Sequence, residues 1–211
     1  MLREMHRIVW RALIGAGAAA LLAACSGLSS GGGSSPYGAG DPNLAAPNPA
    51  GGAINPFLVD GRAVLRALDA IAAVSGKPLR VTDLNADQVN GLTVEVQEPA
   101  HHVNVDQYIV SVDGKLSGPE PVKLASMDSG PVTAAEVDQE AFDPKSIGFA
   151  RLARTARDAI AKSKFSDARV SEWELKKAGP GDYRWYLYMQ AARARPVAVL
   201  KADGSISHIQ F

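Results

Sequence analysis

The chain has 211 residues, in which 22 Lys and Arg balance 22 Asp and Glu, 46% of residues are hydrophobic and one is cysteine. The length suits one or two small domains, and the apolar share is enough for a packed core, which excludes wholesale disorder. Zero formal charge argues against nucleic acid as the main partner, because phosphate-binding chains are basic overall. A single cysteine excludes an intramolecular disulfide and any multi-cysteine metal site.

The first predicted element is an export signal. Arg3, Arg7 and Arg11 give a basic start, and Ala12–Ala24 is an uncharged apolar run of 13 residues. Such a run is too short to span a bilayer and suits the apolar region of a signal peptide. It ends in Leu22-Ala23-Ala24-Cys25, which resembles the processing box of bacterial lipoprotein precursors. The resemblance implies removal of residues 1–24 and acylation of Cys25 on sulfur and on nitrogen. More than one acyl chain gives stable anchoring where one does not. Ser26 in place of Asp implies, by the same resemblance, an outer-membrane lipoprotein facing the periplasm. The alternative is an ordinary secretory signal with a coincidental cysteine.

Residues 25–56 read as a lipidated flexible tether. The 31 residues after Cys25 include 8 Gly, 5 Pro and 5 Ser, and Asp41 is their only charge. A flexible chain of this length reaches roughly 30 Å. Tyr37 and Leu44 read as isolated apolar residues without a core to join.

The rest divides into a first unit over 57–127, a linker over 128–142 and a second unit over 143–211. Residues 58–142 carry 6 basic and 13 acidic residues, whereas 143–211 carry 13 basic and 7 acidic. The two units look like copies. Asp69-Ala70-Ile71-Ala72 recurs 89 residues later as Asp158-Ala159-Ile160-Ala161, and Val81 pairs with Val170 at the same offset. Gly91 and Gly181 lie 90 apart, as do Asp113-Gly114 and Asp203-Gly204. The shared register, not any single match, makes the repeat.

Each unit opens on a helix. In the first, Asp60 is the expected N-cap, Val64, Leu65, Leu68, Ile71 and Ala72 form the stripe, and Gly76 with Pro78 ends it. In the second, Asp143 is the expected cap with Pro144 at the first helical position, and Phe149, Leu152, Ala153, Ala156 and Ile160 face inward. Strands are predicted over 79–84, 92–97, 107–112 and 122–124, then over 169–175, 183–190, 197–202 and 205–211. Asp203-Gly204 predicts a two-residue hairpin turn with positive φ at both positions. Asp113-Gly114 fits less closely, because Gly118, Pro119 and Pro121 delay the next strand. The fold class is therefore α+β, each unit a helix packed on an antiparallel sheet of about four strands.

One helix followed by a four-strand meander, repeated, resembles PepSY-type and β-lactamase-inhibitor-protein-like domains, most closely over Ala153–Phe211. The resemblance implies an extracytoplasmic binding module of a kind that blocks or regulates enzymes.

No catalytic constellation emerges. There is no nucleophile elbow and no phosphate-cradling loop. Adjacent His101 and His102 on an extended segment point to opposite faces, so they read as an exposed loop pair and not as metal ligands. His208 reads as a strand residue. The expectation is a protein without catalytic residues, cofactor or metal. Two surfaces are candidate protein-binding sites. On the strand Tyr183–Gln190, Arg184, Tyr186 and Tyr188 share the face opposite Trp185, Leu187 and Met189, and Tyr with Arg is the composition of an interface hot spot. On the second helix, Arg151, Arg154 and Arg157 form a basic face suited to an acidic partner, to anionic headgroups or to solvent.

The functional expectation is a lipid-anchored envelope protein that binds or regulates another envelope or secreted protein. The alternatives are a structural or assembly factor of the outer membrane and, last, a hydrolase with an unrecognised site. The anchoring reading is directly testable. Cys25→Ser should abolish acylation and lipoprotein maturation, seen by intact-mass analysis of the membrane fraction. An unmodified N-terminus at any other residue of the wild-type chain overturns it.

Overall fold

The computed structural model describes residues 35–124 and 130–211, so the signal segment, Cys25 and residues 26–34 lie outside the described residues. The architecture is one eight-stranded antiparallel sheet with helices packed on it. Helix α1 (Gly61–Ser75) precedes strands β1 (Val81–Asp87), β2 (Gly91–Gln97), β3 (Val105–Val110) and β4 (Leu116–Pro121). Helix α2 (Ala134–Glu140) and helix α3 (Leu152–Lys162) precede β5 (Arg169–Gly179), β6 (Asp182–Gln190), β7 (Val197–Leu200) and β8 (Ile206–Gln210). The strand order is β4-β3-β2-β1-β5-β6-β7-β8, so the two expected four-stranded sheets are one continuous sheet joined where β1 meets β5. Among the described residues, no helix is long and apolar enough to cross a membrane.

Helix α1 forms as its sequence predicts. The Asp60 carboxylate accepts the Arg62 N–H, satisfying a donor left over by the helix end, and Gly76 leaves the helix at φ 99°. Ala63, Val64, Ala67, Leu68 and Ile71 are buried on the sheet. The second helix begins later than expected. Asp143 caps a 3-10 turn, Pro144–Ser146, and the α-helix starts only at Leu152. The chain between them passes close to Gly61. A Cβ there would lie 1.7 Å from the Phe149 carbonyl oxygen, so the start of α1 passes against the chain that leads into α3. Thr155 is buried beside the stripe, its hydroxyl donating to the Gly204 carbonyl at 2.6 Å.

The turns also differ. Gly114 and Gly204 have φ of +89° and +79°, but neither Asp113 nor Asp203 has positive φ. In both hairpins the glycine N–H closes a turn, onto Ser111 at 2.8 Å and onto Lys201 at 2.9 Å, and the flanking pair bonds across the loop. This is the three-residue hairpin in which a glycine in the left-handed region completes a bulge. The Asp113-Gly114 turn is therefore as tight as the other. Strand β4 begins directly after it and contains Gly118, Pro119 and Pro121, whereas 122–124 forms no strand. Proline is tolerated because β4 is an edge strand, where one row of N–H groups has no neighbour to meet.

The expected tether is the largest correction within the described residues. Residues 35–56 are packed on the domain: Tyr37, Leu44, Ala45 and Ala46 are buried. The Tyr37 ring lies 5.0 Å from that of Phe57, and the Arg66 guanidinium donates to the Tyr37 carbonyl. Ala45 bridges Val170 beside the start of β5, with Ala46 N–H donating to the Val170 carbonyl at 2.7 Å. Buried Asn55 is the rivet. Its amide donates to the carbonyls of Asp87 (2.6 Å) and Gly91 (2.9 Å), and its oxygen accepts the Phe57 N–H (2.8 Å). Gly and Pro content thus describes an irregular backbone here, not an undocked one. Within the expected linker, residues 134–140 form helix α2. Thr133 and Glu136 form a capping box at the start of α2, and Val137, Ala141 and Phe142 are buried. Phe142 exchanges two backbone hydrogen bonds with Val81 at 2.9 Å, ahead of the point where β5 takes over that flank of β1.

Removing the Asn55 side chain leaves two carbonyls and one N–H in the interior without their partner. Asn55→Ala should therefore destabilise the domain by about 1–3 kcal/mol and release residues 35–56 first. Limited proteolysis of the wild type should leave a core that begins upstream of residue 40. Cleavage of the wild type throughout 40–56 would contradict the docked segment.

Candidate functional site

Strand β6 alternates as its sequence requires. Trp185, Leu187 and Met189 are buried on the helix side, and Arg184, Tyr186 and Tyr188 are half-buried on the other. The Tyr186 and Tyr188 ring centroids are 6.3 Å apart with planes tilted by 38°. Neighbouring strands decide what surrounds them. Tyr188 lies opposite Glu172 on β5 and Val197 on β7, Tyr186 opposite Glu174 and Val199, and Arg184 opposite Lys176. One strand further, β1 sets Asp87, Asn85 and Asp83 opposite Glu172, Glu174 and Lys176. The Asn85 amide donates to Glu172 Oε1 at 3.0 Å, and the Lys176 ammonium donates to the Glu174 carboxylate. The open face of the central strands is thus a pair of tyrosines bordered by carboxylates.

The face is closed at one end and open at the other. Helix α2 closes the end at which β1 begins. Gln97 donates to Asp138 Oδ1 at 2.8 Å, Arg80 donates to the Asp138 carbonyl at 3.2 Å, and His102 Nδ1 lies 3.0 Å from Asp138 Oδ1. The hydrogen bonds from Gln97 and then His102 hold the Asp138 carboxyl below the usual carboxylate range. At the opposite end a groove of about 380 Å³ runs between the β1–β2 turn, β5, β6 and the loop before β7. Asp87, Val89, Glu172, Tyr188, Arg195 and Val197 line it.

The basic residues do not join this face. Arg151, Arg154 and Arg157 are exposed on the outside of α3, in the layer that covers the opposite side of the sheet. Arg151 lies 3.6 Å from Asp203, and Arg154 lies 4.0 Å from Asp158. The two candidate surfaces are therefore separate, with the core between them. Cys25 lies outside the described residues. His101 meets Glu98 at 2.9 Å while His102 meets Asp138, so the pair is split between two partners. Among the described residues, no group of three His, Cys, Asp or Glu is placed to hold a metal ion. His208 lies on β8.

Sequence reasoning missed Glu172, Glu174 and Asp87 as members of the site. A signal existed for two of them. Glu172 and Glu174 alternate with buried Trp173 and Leu175 as the tyrosines alternate with Trp185 and Leu187. No local signal announces that β1 lies beside β5.

Burial, and then the carboxylates of Glu174 and Glu172, raise the pKa of the Tyr188 phenol. The folded state holds this proton more tightly than the unfolded chain. Its contribution to stability is thus complete below the ordinary phenol range and lost as pH rises through the raised value. Glu172→Gln combined with Glu174→Gln should lower the pH at which Tyr188 ionises. Tyrosinate absorbance, referenced to Tyr188→Phe, reports the shift.

No family model matches the chain, and no curated protein sequence matches it. A solved structure from Clostridium difficile 630, provisionally assigned as a lipoprotein, aligns with 78% of this chain and 99% of its own, at a TM-score of 0.46 and 13% identity.

Proposed function

We propose that this chain is a lipid-anchored, non-catalytic protein of the bacterial envelope, built from two copies of one α+β unit, that binds another envelope or secreted protein through the open face of its sheet. The observation that carries the binding reading is the tyrosine pair. Tyr186 and Tyr188 stand side by side on the face opposite α1 and α3, half-buried, beside an open groove. Tyrosine supplies large contact area and a polar handle with few rotors to immobilise, which is why it concentrates at interfaces. Helices α1 and α3 supply the core with its second layer, so the open face is not needed to close the domain.

Several features support the two-copy reading. The strand order is palindromic about the β1–β5 seam. Asn55-Pro56 and Asp143-Pro144 each start a capped 3-10 turn ahead of a helix. Gly91 and Gly181 both have positive φ at the turn into the second strand of their unit, and both units close their last hairpin with the same glycine bulge. The anchor reading rests on the residues that end in Cys25, and the envelope location follows from it.

Arg184→Ala with Tyr186→Ala tests the binding face. Each lost cross-strand pair costs at most about 1 kcal/mol of stability, whereas a true hot spot costs about 2 kcal/mol or more of binding. Thermal unfolding should therefore change little, while recovery of crosslinked envelope partners falls. Lost stability with unchanged recovery would show that these side chains only pack across strands.

A further inference from the structure

Resting on that binding reading, we infer that the open face takes a cationic partner: an extended protein segment whose Lys or Arg side chain enters the groove beside Tyr188. The groove supplies both halves of what such a side chain needs. Val89, which is 52% exposed, and Val197 flank it with apolar surface suited to an alkyl stem. Long basic side chains lay their stems on apolar surface and keep the charge at a polar end. Glu172 and Asp87 line the same groove, and Tyr188 presents a ring over which a guanidinium or ammonium is attracted. At about 380 Å³ the groove is near the lower limit of small-ligand sites, the scale of one side chain.

In the lining of the groove two carboxylates, Asp87 and Glu172, stand against one cation, Arg195. Glu172, Glu174, Asp87 and Asp83 lie together on β1 and β5. Cations on or beside the same face include Lys176, which is bonded to Glu174, Arg184 toward the α2 end, and Arg195 at the groove with Arg193 in the same loop. Asp87 already accepts the Val89 and Asn90 N–H groups and the Asn90 amide, so it contributes negative potential from a fixed position. Glu172 is held by Asn85 through one of its two oxygens. A positioned carboxylate beside an aromatic ring is a receptor for a cation, and a poor one for an anion. The chain's own basic face on α3 cannot reach it, because the core lies between.

The test uses the full chain in a zwitterionic detergent and two fluorescent peptides, one with arginine at alternate positions and one with glutamate in their place. Fluorescence anisotropy should show binding of the arginine peptide alone, weakening as salt screens the charges. Glu172→Gln with Glu174→Gln should weaken it by about tenfold or more. Arg154→Ala with Arg157→Ala, on the opposite side, should leave it unchanged, and thermal unfolding confirms that each variant is folded. An affinity untouched by the Glu172 and Glu174 substitutions overturns the inference. So does tighter binding of the glutamate peptide. If that binding is lost in Arg184→Ala with Tyr186→Ala, the open face still binds but its partner is anionic. If no open-face variant changes either peptide or the recovery of envelope partners, the binding reading falls as well. Sedimentation velocity covers one further occupant: self-association abolished by the Glu172 and Glu174 substitutions would make it a second copy of this chain and overturn the inference.

Discussion

The antiparallel ladder between β1 and β5 is the constraint on which the rest of the molecule depends. Register from Asp83–Lys176 to Asp87–Glu172 makes one sheet out of two meanders. Without it, each half would end in an unpaired central edge whose inward side is apolar, the arrangement most prone to wrong pairing. Side chains reinforce the seam from both faces. On the core side the Trp173 indole donates to the Phe57 carbonyl at 2.8 Å, tying the second half to the entry of the first helix. Trp173 also joins a ring cluster with Phe149 and Trp185, at 5.8 and 6.4 Å. On the open side Asn85 bonds Glu172 across the same pair of strands.

Everything docked around the seam uses backbone that the ladder leaves over. Strand β5 begins before its pairing with β1, and there the segment 44–46 pairs with Val170. Strand β1 begins before its pairing with β5, and there Phe142 takes the vacant flank. Buried backbone groups must be paired, so a staggered seam recruits irregular chain to both of its ends. That is why segments rich in Gly, Pro and small residues are part of the domain.

The division of charge between the halves has a different physical meaning from the one its size suggests. Lys145 meets Asp69 across the halves at 3.2 Å, but both are exposed, and an exposed pair contributes little to stability. The charges are instead sorted by layer. Basic residues line the outside of α3, and carboxylates gather on the open side of β1 and β5. A low-dielectric core separates the two, so they act on the surroundings more than on each other.

The sequence by itself determined what depends on near neighbours. Helix α1 with its Asp60 cap, the alternation along β6, the glycine-closed hairpins and the α+β class were all legible, because capping, strand alternation and turn geometry act over a few residues. The two-residue form expected of Asp203-Gly204 does not occur, since Asp203 stays out of the positive-φ region and the glycine alone supplies it. Tertiary structure alone decided three things. Residues 35–56 dock because Asn55 finds the carbonyls of Asp87 and Gly91, which lie 32 and 36 residues away. Residues 116–121 form a strand despite two prolines because they lie at an edge, and edge position belongs to the sheet and not to the segment. Glu172 and Glu174 border the tyrosines of β6 and the carboxylates of β1 because of long-range strand pairing, and no local preference encodes which strand lies next to which.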